Sequence, residues 1–128
     1  MQGYATGTYR RASGGDPTVY LAEEVAGYVA EGFRAVKIKL GFGVAADVKV
    51  MESVRAAVGS DVQLMIDTNH GYDAIDAVRL ARAIEHLDIA WFEEPVCPED
   101  LDGYRQVKVG RKRKEKVRSA WACSQRLM

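Results

Sequence analysis

Lys37 and Lys39 flank a single isoleucine in the run Ala35-Val36-Lys37-Ile38-Lys39-Leu40. Side chains on a strand alternate between faces, so Val36, Ile38 and Leu40 would share one side and both lysines the other. Two ammonium groups on one face cannot be buried unpaired. They need water, counter-charges or an anionic ligand, so this strand should end at a polar mouth. Two later apolar runs end in complementary groups: Asp67 and Asn69 close one, Glu93 and Glu94 the other. Asp67 and Glu93 offer hard oxygen ligands of the kind that hold Mg²⁺ together with water and substrate oxygens. Opposite them, Lys39 could remove a proton next to a carboxylate, and Lys37 could bind that carboxylate. The enolate so formed needs its charge stabilised as it develops, which a neighbouring metal does. A second ammonium two residues away would disfavour charge on Lys39 by like-charge repulsion, which suits a base. Asn69 could add a hydrogen bond or a water-mediated contact. His70 could be a substrate contact, an acid, or only a polar loop residue.

Each piece alone has a plainer explanation. A K-x-K on an edge strand is often a solvated face. Asp67 and Asn69 could form a turn or cap a helix, and Glu93-Glu94-Pro95 could be an ordinary strand end. Gly41-Phe42-Gly43 could cradle a phosphate, but it lacks the helix-start fingerprint of such loops. The recurrence of complementary charge at the ends of three successive strands is what packing does not explain.

The elements that would position these residues follow one pattern. Tyr4 to Arg10 is a short β-prone run. Asp16 caps and Pro17 starts a helix carrying Leu21, Val25, Tyr28 and Val29 at helical spacing, ended by Gly32. Phe33 to Leu40 follows as a strand, and Ala45 to Val58 as a helix stopped by Gly59. Val62 to Thr68 is a strand. Asp73 caps a helix with the stripe Ala77, Leu80, Ala81, Ile84 and Leu87, Ile89 to Glu93 is a strand, and Pro98-Glu99-Asp100 opens a fourth helix. Four strand–helix units in a row predict a parallel sheet with helical crossovers. In a (β/α) barrel the C-terminal ends of the strands meet at one face, where active sites lie. The predicted fold is therefore α/β: the first four units of a (β/α)8 TIM barrel over residues 1–107, followed by a basic tail at 108–128.

The charge balance marks the same boundary. Residues 1–107 carry 10 Lys and Arg against 17 Asp and Glu, whereas residues 108–128 carry eight against one. No run is long and apolar enough to suggest a membrane span, and no basic-then-apolar signal pattern opens the chain, so a cytoplasmic protein is expected. Cys97 and Cys123 form no metal motif and no disulfide framework and read as free thiols.

Three stretches together resemble a known family: Val36-Lys37-Ile38-Lys39, Met65-Ile66-Asp67-Thr68-Asn69 and Trp91-Phe92-Glu93-Glu94-Pro95. In order and spacing they are similar to the enolase superfamily, and within it to the mandelate racemase and muconate-lactonizing branch. The resemblance implies Lys39 as the base on one face of the substrate and Lys37 as an assisting group at its carboxylate. It implies Asp67 and Glu93 as Mg²⁺ ligands, and Asn69 as an accessory residue. Asn69-His70-Gly71-Tyr72 and Glu94 to Leu101 look most like members acting on sugar acids or their lactones, including dehydratases and cycloisomerases. The family pattern also has an N-terminal capping domain, eight barrel units and a third carboxylate ligand on the fifth strand, none of which is legible here. A fragment with little activity of its own is therefore expected.

The abrupt change near Lys108 suggests a truncated or frame-shifted reading, with residues 108–128 disordered and no fifth strand. The rivals are a non-catalytic half-barrel scaffold and a genuine basic tail binding nucleic acid or another anionic surface. Trp121 is the tail's single aromatic residue, which makes a base-stacking platform a poor fit. Open edge strands would also allow two copies to pair into a homo-oligomer.

Overall fold

The computed structural model describes residues 3–110 and the backbone of 116–118. Five parallel strands lie side by side in chain order: β1 (Ala5–Thr6), β2 (Ala35–Lys39), β3 (Gln63–Asp67), β4 (Ile89–Glu93) and β5 (Lys116–Arg118). The first four alternate with α1 (Pro17–Ala30), α2 (Val44–Val58), α3 (Ala74–Ala83) and α4 (Leu101–Gly110). This is the partial barrel that the sequence pattern predicts.

Capping residues start the helices where expected. The Asp16 carboxylate accepts from the Thr18 N–H at 2.9 Å, with Pro17 at the first helical position. The Asp73 carboxylate accepts from the Asp76 N–H at 2.8 Å. The helices pack in the order α1, α2, α3, α4, and their apolar stripes share one core with the outward side chains of the strands. That core includes Leu21, Val25, Val54, Leu80, Ile84 and Val107 from the helical layer, and Val36, Ile38, Leu64, Ile66 and Phe92 from the sheet.

Three details differ from the sequence reading. The third helix ends at Ala83, and the chain tightens into a 3-10 turn at Glu85–Leu87 before Asp88 turns left-handed at φ 54°. The Arg55 guanidinium of α2 donates to the carbonyls of Leu87 and Asp88 and fixes that turn. The first strand is only Ala5–Thr6, because the backbone leaves extended geometry at Thr8, φ 30°. The largest correction concerns the tail. No fifth strand was expected after Val107, yet Lys116–Arg118 pairs in parallel with Trp91–Glu93 of β4. A basic run can add a strand because the ladder is made by backbone groups, which no side-chain pattern announces. The remainder of the expected disordered or frame-shifted tail, residues 111–115 and 119–128, lies outside the described residues.

The strand register positions the site. Lys39 pairs with Asp67 and Asp67 with Glu93, so three functional candidates stand in one row across β2, β3 and β4. A bulge makes that row possible. Between β3 and β4 the partners run Leu64 with Ile89 but Ile66 with Phe92, so β4 holds one extra residue. Without it, Ile89 and Phe92, three residues apart, would face opposite sides. With it, both join the helix-side core, and Glu93 turns to the same face as Asp67.

Candidate active site

The inner face of the sheet carries charges where a sheet covered on both sides would carry apolar groups. Lys37 and Asp67 are buried, at 8% and 3% exposure. Each ammonium meets a carboxylate. Lys39 Nζ donates to Asp67 Oδ2 at 2.5 Å and to Asn69 Oδ1 at 3.3 Å. Lys37 Nζ donates to Glu93 Oε2 at 2.7 Å and lies 3.7 Å from Asp67 Oδ2. Burial works against charge on Lys37, but the hydrogen bond and charge of Glu93, with Tyr4 and Asp67, outweigh it and hold its pKa above the ordinary lysine value. Lys37 is thus fixed as a cation. The expected face-to-face repulsion of the two lysines is met by a carboxylate partner for each.

The loops after the strands complete the mouth. Asn69 donates its backbone N–H to Asp67 Oδ1 at 3.0 Å, which orients that carboxylate. His70 Nδ1 stands 3.5 Å from Glu94 Oε2, and the His70 N–H donates to the Glu94 carbonyl at 2.9 Å. Asn69, His70 and Glu94 all hold left-handed backbone, φ 46°, 60° and 48°. Non-glycine residues pay for that conformation, and such strain gathers at functional sites. All six residues singled out in the sequence therefore lie at one rim, in two linked groups.

Five residues outside the six candidates also contribute: Thr8, Tyr4, Glu94, Asp47 and Tyr72. Thr8 Oγ1 accepts from the Lys39 N–H at 3.0 Å and donates to the Lys37 carbonyl at 3.3 Å, binding the loop after β1 to the lysine strand. The Tyr4 ring lies 5.5 Å from Lys37 Nζ and meets Trp91 edge-on at 5.8 Å, so side chains beside the first and on the fourth strand touch across the curved inner face. Glu94 partners His70. Asp47 and Tyr72 buttress the loops after β2 and β3. The sequence held a signal for Glu94 alone, as the second acid of a doublet.

Asp67 and Glu93 suit a hard cation. Both are oxygen donors, adjacent in register, and Mg²⁺ is often held by one or two carboxylates with water and substrate filling its other positions. Among the described residues, no group of three or more His, Cys, Asp or Glu side chains is placed to hold a metal.

A family model described as enolase C-terminal domain-like matches residues 20–122. The chain belongs to that family. Within the enolase superfamily it falls in the mandelate racemase and muconate-lactonizing branch. Its relatives include a D-galactarolactone cycloisomerase of Agrobacterium fabrum, 47% identical over 110 residues that make up 86% of this chain and 29% of that protein. The crystal structure of the 3,6-anhydro-D-galactonate cycloisomerase from Zobellia galactanivorans aligns with a TM-score of 0.83 at 40% identity, covering 93% of this chain and 31% of that one. A mandelate racemase/muconate lactonizing enzyme from a marine actinobacterium, solved in complex with magnesium, aligns at 0.77 with 34% identity over 89% of this chain and 31% of its own. Other superfamily relatives are racemases, epimerases and dehydratases. The chain spans about a third of the length of these proteins. Among its described residues, no helix is long and apolar enough to cross a membrane.

Proposed function

We propose that this chain forms the opening part of the barrel of a Mg²⁺-dependent enzyme that removes a proton α to the carboxylate of a sugar acid or a related acid. The observation that carries the reading is the Lys39–Asp67 contact beside the Lys37–Glu93 pair, all at the C-terminal ends of adjacent parallel strands. In this reading Lys39 Nζ takes the α-proton. Lys37, held as a cation, binds the substrate carboxylate and keeps it oriented. Asn69 holds Lys39 from the far side, and His70 reaches substrate hydroxyls. Asp67 and Glu93 would hold Mg²⁺, which supplies positive charge beside the carboxylate where negative charge develops. The sugar-acid class is supported by the printed activities of the two cycloisomerase relatives. Epimerisation, cyclisation and dehydration share the first proton transfer and diverge after it.

The polypeptide alone should turn over little, because two carboxylates hold Mg²⁺ weakly without substrate oxygens to complete its shell. The test is a graft. Residues 20–107 replace the matching stretch of the Agrobacterium fabrum cycloisomerase, and Mg²⁺-dependent α-proton exchange is followed in deuterated buffer. Exchange that survives the graft and disappears with Lys39→Ala supports the reading. A folded graft that exchanges equally well with Lys39→Ala refutes Lys39 as the base.

A further inference from the structure

We propose that Asp47 and Tyr72 form a brace whose role is to hold Lys39 against Asp67. The proposal rests on the reading of Lys39 as the base. Asp47 lies in the first turn of α2 and is fully buried. Its carboxylate turns back to the loop behind Lys39, accepting from the Gly41 N–H at 2.8 Å and the Phe42 N–H at 3.3 Å. A loop-capping aspartate needs no more than that. Here a tyrosine from a different loop joins it. The Tyr72 hydroxyl donates to Asp47 Oδ2 at 2.5 Å and accepts from the Gly43 N–H at 3.0 Å. Arg10, from the loop after β1, brings Nη2 to 3.9 Å from Asp47 Oδ1 and stacks its guanidinium 4.2 Å over the Phe42 ring. Three successive loops of one rim thus converge on a single buried carboxylate.

The brace sits directly behind the reacting pair. Gly41 follows Lys39 by two residues, and Tyr72 follows Asp67 by five. Between them the Leu40 N–H donates to the Asp67 carbonyl at 2.8 Å. The two loops also meet backbone to backbone: a Cβ on Gly71 would lie 3.1 Å from Gly41 Cα. Fixing Gly41–Gly43 to Tyr72 therefore fixes the end of β2 to the end of β3. Lys37 gives an internal comparison. Its hydrogen-bond partner Glu93 is on β4, outside the braced loops, and Asp67 Oδ2 lies farther off at 3.7 Å, so Lys37 depends on the brace much less than Lys39 does. Asp47 and Tyr72 are positioning residues, acting through the loops and touching no reacting atom.

The experiment uses the whole ¹⁵N-labelled chain, without metal or substrate, and reads the side-chain ammonium signals of Lys37 and Lys39 by NMR. Tyr72→Phe removes only the hydroxyl. It should speed hydrogen exchange at the Lys39 ammonium about fivefold, the factor controlled by one hydrogen bond of ordinary net strength, and change Lys37 less than about twofold, since Glu93 holds it. Asp47→Asn should do the same, and if that variant fails to fold, Tyr72→Phe decides alone. Lys39 unchanged, or both lysines altered to the same extent, would overturn the proposal, since a purely structural role loosens the whole rim. Failure to detect a protected Lys39 ammonium in the unaltered chain would overturn it too. Because no Mg²⁺ enters the measurement, failure of the enzymatic reading is scored separately by the graft.

Discussion

Gly41 and Gly43 allow a matched test of how tightly the lysine strand is seated against its neighbour. Their backbones are nearly identical in φ, +108° and +110°. Their surroundings differ: a Cβ on Gly41 would lie 2.7 Å from the Thr68 carbonyl oxygen, whereas one on Gly43 would meet nothing within 4 Å. Alanine at either site forces a side chain into the left-handed region, at about 1–3 kcal/mol. Only Gly41→Ala adds a clash with rigid backbone, which belongs with overpacking at about 1–3 kcal/mol. The two variants should therefore differ by about 2 kcal/mol. With a urea slope of about 2 kcal/mol/M, that places the Gly41→Ala midpoint about 1 M below the Gly43→Ala midpoint. Equilibrium urea unfolding followed by tryptophan fluorescence and by circular dichroism measures both. Equal midpoints would show that the loop yields freely, and the close seating of β2 on β3 would then not be what fixes Lys39 beside Asp67.

Lys37→Met removes one of two cations competing for the candidate Mg²⁺ oxygens. Isothermal titration should show Mg²⁺ binding about tenfold tighter, the effect of removing roughly 1.4 kcal/mol of like-charge repulsion, while Asp67→Asn abolishes it. In metal-free buffer the same Lys37→Met change should lower stability by about 2 kcal/mol, less than for a fully buried pair because Glu93 keeps some water. Alkaline pH should expose Tyr72. Its pKa is raised by burial first and then by the Asp47 hydrogen bond and charge. Its contribution is complete below the unfolded tyrosine value of about 10 and is lost as pH rises from there through the folded value. Urea midpoints should thus fall less steeply above about pH 10 in Tyr72→Phe than in the unaltered chain, and identical slopes would refute the assignment. Arg55 donates to four carbonyls, those of Gly59, Val62, Leu87 and Asp88. Arg55→Met should cost about 3 kcal/mol, read by thermal unfolding, with no change in Mg²⁺ binding.

The fold was legible because its punctuation is local. Asp16-Pro17, Gly32, Gly59 and Asp73 each act on their own turn of chain, and they divide the sequence into units without reference to anything distant. The candidate site was legible as a set of residues because strand alternation sends Lys37 with Lys39, and Asp67 and Glu93 end adjacent apolar runs. Its pairing was not legible. Sequence spacing places the lysines beside each other, whereas the sheet separates their partners: Lys39 takes the carboxylate in its own row, and Lys37, one step lower, reaches past β3 to Glu93 on β4. That assignment depends on the bulge in β4, which nothing in Ile89-Ala90-Trp91-Phe92-Glu93 marks. The Asp47–Tyr72 contact spans 25 residues and joins groups that look like ordinary helix and loop residues.

These long-range facts bear on chemistry more than the local ones do. Asp67 is engaged by both ammonium groups and by the Asn69 N–H, and Glu93 by Lys37, so without a cation the site is neutralised from within. A cation at Asp67 Oδ2 would compete there with Lys39, the proposed base, and more distantly with Lys37. Metal binding and release of Lys39 from Asp67 would then be two sides of one exchange, in which the braced loop fixes the strand end that carries Lys39.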